Sequence, residues 1–451
     1  MTKRLTPDVL VIGSGPAGGA IARSCSAEGM SVAVTDYQPF GGTCPLRGCE
    51  PKKFLFDVTN VALRRKHMTD RGLRGCLTID WRKMMSAMDA MREPIPQLVE
   101  DFYESHGIAG YHGKAKFISP DAVMVGKDKF QPKHIVIAAG AAPRAVNFPG
   151  HELLTFSDDF FNLVELPPRI VFIGGGFIAF ELAHVTAIAG AQVDIVLRSE
   201  RFLRQFEPSI VDCMIEGSRD LGIRFHTMMS PNSLSQDGKD LVLCAGEDGI
   251  EFRADCVVLA AGRVADVAGL NVAKGNIELN KKGGIKVNQH MQSVSNPRVY
   301  AAGDVVGNGM ELTPVASMEG MVVAHNLQNG NSEEPDYTAV PFSLFTHPPL
   351  STVGLQEEEA KALGLEYTVY EGSASGWSEY RRIGEAYPSY KVLVEKTTDT
   401  ILGATINGHN SEEIINIFAF AMRTETTVAE LMRWLWAYPS FGYTLRYMFK
   451  K

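Results

Sequence analysis

The sequence predicts an α/β protein built from two Rossmann-like dinucleotide-binding domains and a C-terminal α+β domain. Three observations carry that prediction. Val9-Leu10-Val11-Ile12 leads into Gly13-Ser14-Gly15-Pro16-Ala17-Gly18 and a small-residue helix from Ala20 to Glu28. Ile170-Val171-Phe172-Ile173 leads in the same way into Gly174-Gly175-Gly176-Phe177-Ile178-Ala179. From about Tyr337 the texture changes to alternating strand-like runs and two helical stretches. One such glycine fingerprint is weak; two, each after a strand and before a helix, are strong.

In the first unit Gly13, Gly15 and Gly18 let the turn close and bring a pyrophosphate to the helix N-terminus, where backbone amides favour anions. Asp36 stands 18 residues beyond Gly18, at the end of the apolar strand Ser31 to Thr35. A carboxylate there can bind the ribose hydroxyls of an unphosphorylated adenosine, which suits FAD. In the second unit Gly174, Gly176 and the small Ala179 repeat the pattern. The same step from Ala179 lands on Leu197, followed by Arg198, Arg201 and Arg204. Guanidinium forks welcome a 2′-phosphate that a carboxylate would repel, so the site reads as NADPH rather than NADH, with Arg198 and Arg204 as contacts. The plainer alternative is a solvated basic run after a strand. Ile135 to Gly140 and Val257 to Gly262-Arg263 are the matching strand–glycine exits.

Between the fingerprints lies Gly41-Gly42-Thr43-Cys44-Pro45-Leu46-Arg47-Gly48-Cys49-Glu50-Pro51-Lys52-Lys53. Cys49 sits where Pro51 would open a helix, with Lys52 and Lys53 close by, a setting that stabilises a thiolate. Two thiols on one turn can close and reopen a disulfide. A zinc half-site is the alternative, but the chain offers no second close cysteine pair or Cys-His cluster. Cys25, Cys76, Cys213, Cys244 and Cys256 are scattered and read as small apolar residues. The N-terminus runs into a strand with no leader-like apolar region, and no apolar run approaches membrane-spanning length. The formal net charge of −8 disfavours nucleic acid as a partner. A cytoplasmic location is expected.

The cysteine motif resembles that of the flavoprotein pyridine nucleotide–disulfide oxidoreductases, and the resemblance runs from Asp8 to Tyr447. It implies an FAD-binding domain over residues 1–147 and 268–335, an NAD(P)H-binding domain over 148–267 and a dimerisation domain over 336–451. It implies FAD contacts at Gly42, Thr43, Lys53, Ala115, Gly140, Gly303, Asp304 and Thr313, the last two in Ala301-Ala302-Gly303-Asp304-Val305 and Leu312-Thr313-Pro314. Gly262 is carried over to the nucleotide-binding set. Cys44 and Cys49 become the redox disulfide, Cys49 facing the flavin as thiolate and Cys44 attacking substrate. Glu181 is expected to pair with Lys53, or with Lys52 if the register differs by one.

The C-terminus departs from the family. Thiol–disulfide members carry H-P-T-x-S-E there, a His–Glu dyad supplied to the partner subunit. Here the aligned run is Tyr438-Pro439-Ser440-Phe441-Gly442-Tyr443, with tyrosine at both dyad positions. A phenol of ordinary pKa near ~10 can donate a proton but is a poor base at neutral pH. His409 is expected to be structural or at the surface, and no C-terminal cysteine pair of the mercuric reductase kind is present. The expected activity is NADPH-dependent reduction of a low-molecular-weight or unusual disulfide by a homodimer, with Tyr438 and Tyr443 entering the partner's active site. Reduction of a quinone, metal ion or oxygen is the rival within enzymes. A redox sensor without turnover is the rival outside them.

Overall fold

The computed structural model describes residues 4–450. The chain packs as two units, the first formed by the described residues up to Pro51 with Ser86–Arg144 and Arg263–Tyr337, the second by Lys52–Met85, Ala145–Gly262 and the remainder from Thr338.

The first unit is built on a five-stranded parallel sheet in the order Val299–Ala301, His134–Ile137, Val9–Ile12, Val32–Asp36, Ala109–His112. Val9–Ile12 is buried along its whole length, as a central parallel strand covered on both faces must be. Helices Pro16–Ala27 and Thr313–Asn329 cross at Gly320, where a Cβ would come within 2.7 Å of the Ala17 carbonyl oxygen. A second, four-stranded sheet carries Ala115–Ser119, with Ala115 buried.

The second unit repeats the plan. Its parallel sheet runs Thr155–Phe156, Cys256–Leu259, Arg169–Ile173, Gln192–Val196, Ile223–His226. The C-terminal part is an antiparallel sheet in the order Phe342–Leu344, Leu350–Gly354, Ile401–Asn407, Ser389–Glu395, Tyr367–Ser373, with helix Ser411–Arg423 packed on it through Ile414, Ile415 and Phe418. Two Rossmann-like domains and a C-terminal α+β domain are thus the architecture. The last region holds more helix than the two stretches expected. Glu357–Ala362, Ser378–Ile383, Val428–Arg433 and Leu445–Met448 are each six residues or fewer, too short to leave a 3.6-residue period in the sequence. Among the described residues no helix is long and apolar enough to cross a membrane.

Candidate redox and dinucleotide sites

Gly13 has φ +112°, and a Cβ there would lie 2.1 Å from the Ala138 carbonyl oxygen. A Cβ on Gly18 would lie 2.0 Å from the Gly13 oxygen, and one on Gly42 would meet the Gly15 Cα at 2.5 Å. Only hydrogen fits these positions, so backbone amides line the turn unobstructed. Gly15 caps helix Pro16–Ala27, with proline in the first turn where no amide partner is needed. Asp36 Oδ2 accepts from the Ser14 amide and hydroxyl at 2.9 and 2.7 Å, and Oδ1 accepts from the Gln38 amide at 2.9 Å. The carboxylate is oriented and still has accepting capacity to spare. This cradle fits the pyrophosphate and ribose of FAD.

Gly303, at φ +78°, donates its amide to Glu319 Oε2 at 2.6 Å, and the same carboxylate accepts from Asn308 and Tyr337. Glu319 therefore fixes the turn that presents Asp304, whose carboxyl is pushed up by burial and then by Glu311. Sequence reasoning missed Glu319; an acid on an otherwise apolar stretch of helix was its only signal.

Cys44 lies in the short helix Thr43–Arg47, and Cys49 is the first residue of helix Cys49–His67. Gly48 turns the chain between them, at a place where a Cβ would stand 2.8 Å from the Thr43 oxygen. Arg92 Nη1 donates to the Leu46 carbonyl at 2.8 Å and ties the turn down. Both sulfurs are thiols in this structure. The hydrogen bond to Cys49 raises the Cys44 thiol far above its ordinary value, and burial adds to it. Thr313, opening helix Thr313–Asn329, sets its hydroxyl 3.8 Å from Cys49 Sγ. A cavity of about 310 Å³ borders Ser14, Gly15, Cys44, Glu50, Leu98 and Phe102.

The expected Lys53–Glu181 pair is corrected. Lys52 Nζ binds Glu181 Oε2 at 2.5 Å, and the other carboxylate oxygen accepts from the Phe345 amide at 3.0 Å. Lys53 instead lies over the Phe345 ring, 4.0 Å from its centroid. The reason is helical register. Lys52, Phe56, Thr59 and Leu63 form one stripe, on which Phe56 stacks on His347 at 4.4 Å and Thr59 bonds it at 3.0 Å; Lys53 falls on the neighbouring exposed stripe.

Around the second fingerprint, Gly174 has φ +136° and would clash with the Ala260 oxygen if it carried a Cβ, while Gly176 caps helix Phe177–Ala189 and Ala179 is fully buried. Gly262 follows at φ +99°. The structure separates the three arginines. Arg201 Nη2 donates to the Phe206 carbonyl at 2.7 Å and to Gln356 Oε1 at 3.2 Å. The side chains of Arg198 and Arg204 are exposed and unpartnered among the described residues.

At the C-terminus Tyr438 is 67% exposed and meets Tyr443 edge-on, ring centroids 4.9 Å apart. His409 accepts from Arg64 at 3.1 Å through Nε2 and donates its amide to Glu385. Burial and then Arg64 push its ring down to about 4, so it is a neutral acceptor at neutral pH.

Residues 7–320 match the family model described as pyridine nucleotide-disulphide oxidoreductase, and residues 340–448 match that of its dimerisation domain. The chain is 29% identical to a dihydrolipoyl dehydrogenase of Bacillus subtilis, over 96% of both proteins. It is 30% identical to a glutathione reductase of Nostoc sp., over 96% of this chain and 97% of that one. A glutathione reductase of Schizosaccharomyces pombe is 31% identical, over 94% of each. Among solved structures, the HOCl-induced flavoprotein disulfide reductase RclA of Escherichia coli superposes with a TM-score of 0.88 at 24% identity, over 97% of this chain and 98% of that one. Its Cu(II) complex gives 0.89 at 24% identity, over 98% of each; both are likenesses of fold.

Proposed function

The chain belongs to the pyridine nucleotide-disulphide oxidoreductase family, and on that premise we propose that it carries electrons from NADPH, through FAD and the Cys44–Cys49 pair, to a low-molecular-weight or unusual disulfide. The observation that carries this reading is the thiol pair itself, with Cys44 and Cys49 hydrogen-bonded to each other across the Gly48 turn. Bound FAD supplies the two-electron relay between nicotinamide and sulfur. Gly13, Gly15, Gly18, Asp36 and Gly42 would hold its phosphates and ribose, and Asp304 its ribityl chain. Lys52 and Glu181 would keep a fixed, mutually neutralised charge pair for the hydride step.

In the exchange, Cys44 passes its proton to Cys49 along their hydrogen bond and attacks one substrate sulfur. A bond forms to Cys44, the substrate S–S bond breaks, and the departing thiolate takes a proton from the partner subunit's Tyr438, which solvent restores. Cys49 then attacks Cys44, the Cys44–Cys49 disulfide closes, and the second thiol leaves with the proton Cys49 held. Tyr443, edge-on to Tyr438, would hold that ring in place. The dimerisation domain supports a homodimer for this arrangement. Unengaged Arg198 and Arg204, with Leu197 in place of an acid, support NADPH over NADH.

Tyrosine in place of histidine also keeps in view an acceptor that needs no protonated leaving group, such as a quinone. Turnover of NADPH against a panel of disulfides and quinones, with wild type and Cys44→Ser, tests the assignment. Disulfide turnover lost in Cys44→Ser supports it. Quinone turnover alone, unchanged in the variant, overturns it.

A further inference from the structure

We infer that the C-terminal domain sets nucleotide specificity through Gln356, a positioning residue that holds the arginine loop in the shape that grips a 2′-phosphate. The inference rests on the NADPH reading above and extends it to residues that would touch no part of the nucleotide.

The loop between strand Gln192–Val196 and helix Pro208–Asp220 is irregular, and Leu203 within it adopts φ +44°, a region costly for a branched side chain. Such a loop keeps its shape only if its surroundings impose it. On one side Leu203 donates its amide to the Gly175 carbonyl at 2.9 Å, which ties the loop to the second fingerprint. On the other side the tie comes from about 150 residues along the chain. Gln356 Nε2 donates to the backbone carbonyl of Arg204 at 3.1 Å, and its Oε1 accepts from Arg201 at 3.2 Å. The end of the loop is fastened beside it, where the Glu207 carboxylate accepts the Glu357 amide and lies 3.4 Å from the buried Lys391 ammonium.

One amide side chain thus holds the main chain of Arg204 and the side chain of Arg201 together. The geometry divides labour among the three arginines. Arg201 is spent on the protein, while Arg198 and Arg204 are exposed and unpartnered among the described residues. A charged fork contributes to anion binding only where its position is fixed beforehand, because a displacement of about 1 Å forfeits much of the gain. Gln356→Met keeps the size of the side chain and removes both bonds.

The test is calorimetric titration with 2′,5′-ADP and with 5′-AMP, alongside KM and kcat for NADPH and NADH. Gln356→Met is expected to weaken 2′,5′-ADP binding and raise the NADPH KM by about five- to tenfold, the loss of one or two ordinary hydrogen bonds. 5′-AMP binding, NADH kinetics and NADPH kcat should stay within about twofold, which a merely destabilised protein would not achieve. Arg201→Met should do the same, and Glu358→Gln should do nothing, because Glu358 is 88% exposed and its carboxylate lies 3.9 Å from Arg201. Wild-type 2′,5′-ADP affinity in Gln356→Met overturns the inference. If Arg198→Ala with Arg204→Ala also leaves that affinity unchanged, the NADPH reading falls with it; if that double variant loses it, only the role of Gln356 falls.

Discussion

Lys52 and Glu181 form a buried ion pair at 2.5 Å, and neither side chain is more than 10% exposed. Among the described residues Glu181 has one other hydrogen-bond partner, the Phe345 amide, so removing the lysine strands a charge in the interior. Lys52→Met should destabilise the protein by about 3 kcal/mol, as breaking one side of a buried pair does. Lys53→Met loses the contact over Phe345 and a weak attraction to Glu412, and should cost about 1 kcal/mol or less. Urea unfolding of both variants, beside rates of reduction by NADPH, checks the register; equal losses would contradict it.

The two thiols should be distinguishable by absorbance. In the two-electron reduced protein a long-wavelength thiolate band is expected, and Cys49→Ser should abolish it. Cys44→Ser should leave a band visible before any reduction, because Cys49 then has no partner with which to close a disulfide, while disulfide turnover stops. Unaltered spectra in both variants would make the pair structural.

Arg198→Ala with Arg204→Ala should raise the KM for NADPH far more than that for NADH. Each charge-assisted phosphate contact is worth about 1.5–3 kcal/mol, roughly ten- to a hundredfold. Equal losses with both nucleotides would contradict the 2′-phosphate assignment.

If the acceptor is a disulfide, Tyr438→Phe should lower turnover about a hundredfold, within the range for losing a positioned acid, and the pH profile should lack a limb near neutrality. A silent Tyr438→Phe with a damaged Tyr438→Ala would make the ring a wall instead. Tyr438→His with Tyr443→Glu offers the complementary measurement, gain of glutathione-type activity.

Stability should fall in mild acid. His184 and His347 are buried, and the His347 amide donates to His184 Nδ1 at 3.0 Å. Burial pushes His184 down to about 3 and His347 well below its usual value, the latter with help from His184. Unfolded histidines bind protons below about pH 6.5 while these do not. The stability they contribute is therefore whole above that pH and is lost below it, by roughly 1.4 kcal/mol per pH unit for each ring. Glu385, raised to about 7 by burial, opposes this, since its contribution is lost as pH rises from about 4.5 to 7. Unfolding midpoints between pH 7.5 and 5 should show a steeper acid limb in Glu385→Gln and a flatter one in His184→Asn.

The glycine fingerprints were legible because their demand is local. A strand, a turn with no room for Cβ and a helix follow one another within a dozen residues, and Gly13 and Gly174 meet the same carbonyl obstacle in both units. Helix Ser411–Arg423 is legible in the apolar spacing of Ile414, Ile415, Ile417, Phe418 and Met422. Choosing Lys52 over Lys53 needed the buried stripe through Phe56 and Thr59, visible in the sequence but outweighed by a carried-over register. Glu319 and Gln356 were out of reach, because what they hold lies across a fold and not along a chain.

The Gly48 turn, tied by Arg92 to the Leu46 carbonyl, has a kinetic meaning. On the proposed route, once a substrate sulfur is joined to Cys44, the thiol that would displace it is already delivered by the chain, at an effective molarity that no dissolved thiol can match. The covalent adduct should therefore be short-lived even where free thiols are scarce. On the proposed route the protein would clear its own intermediate, and oxidising conditions that remove small thiols would leave that step untouched.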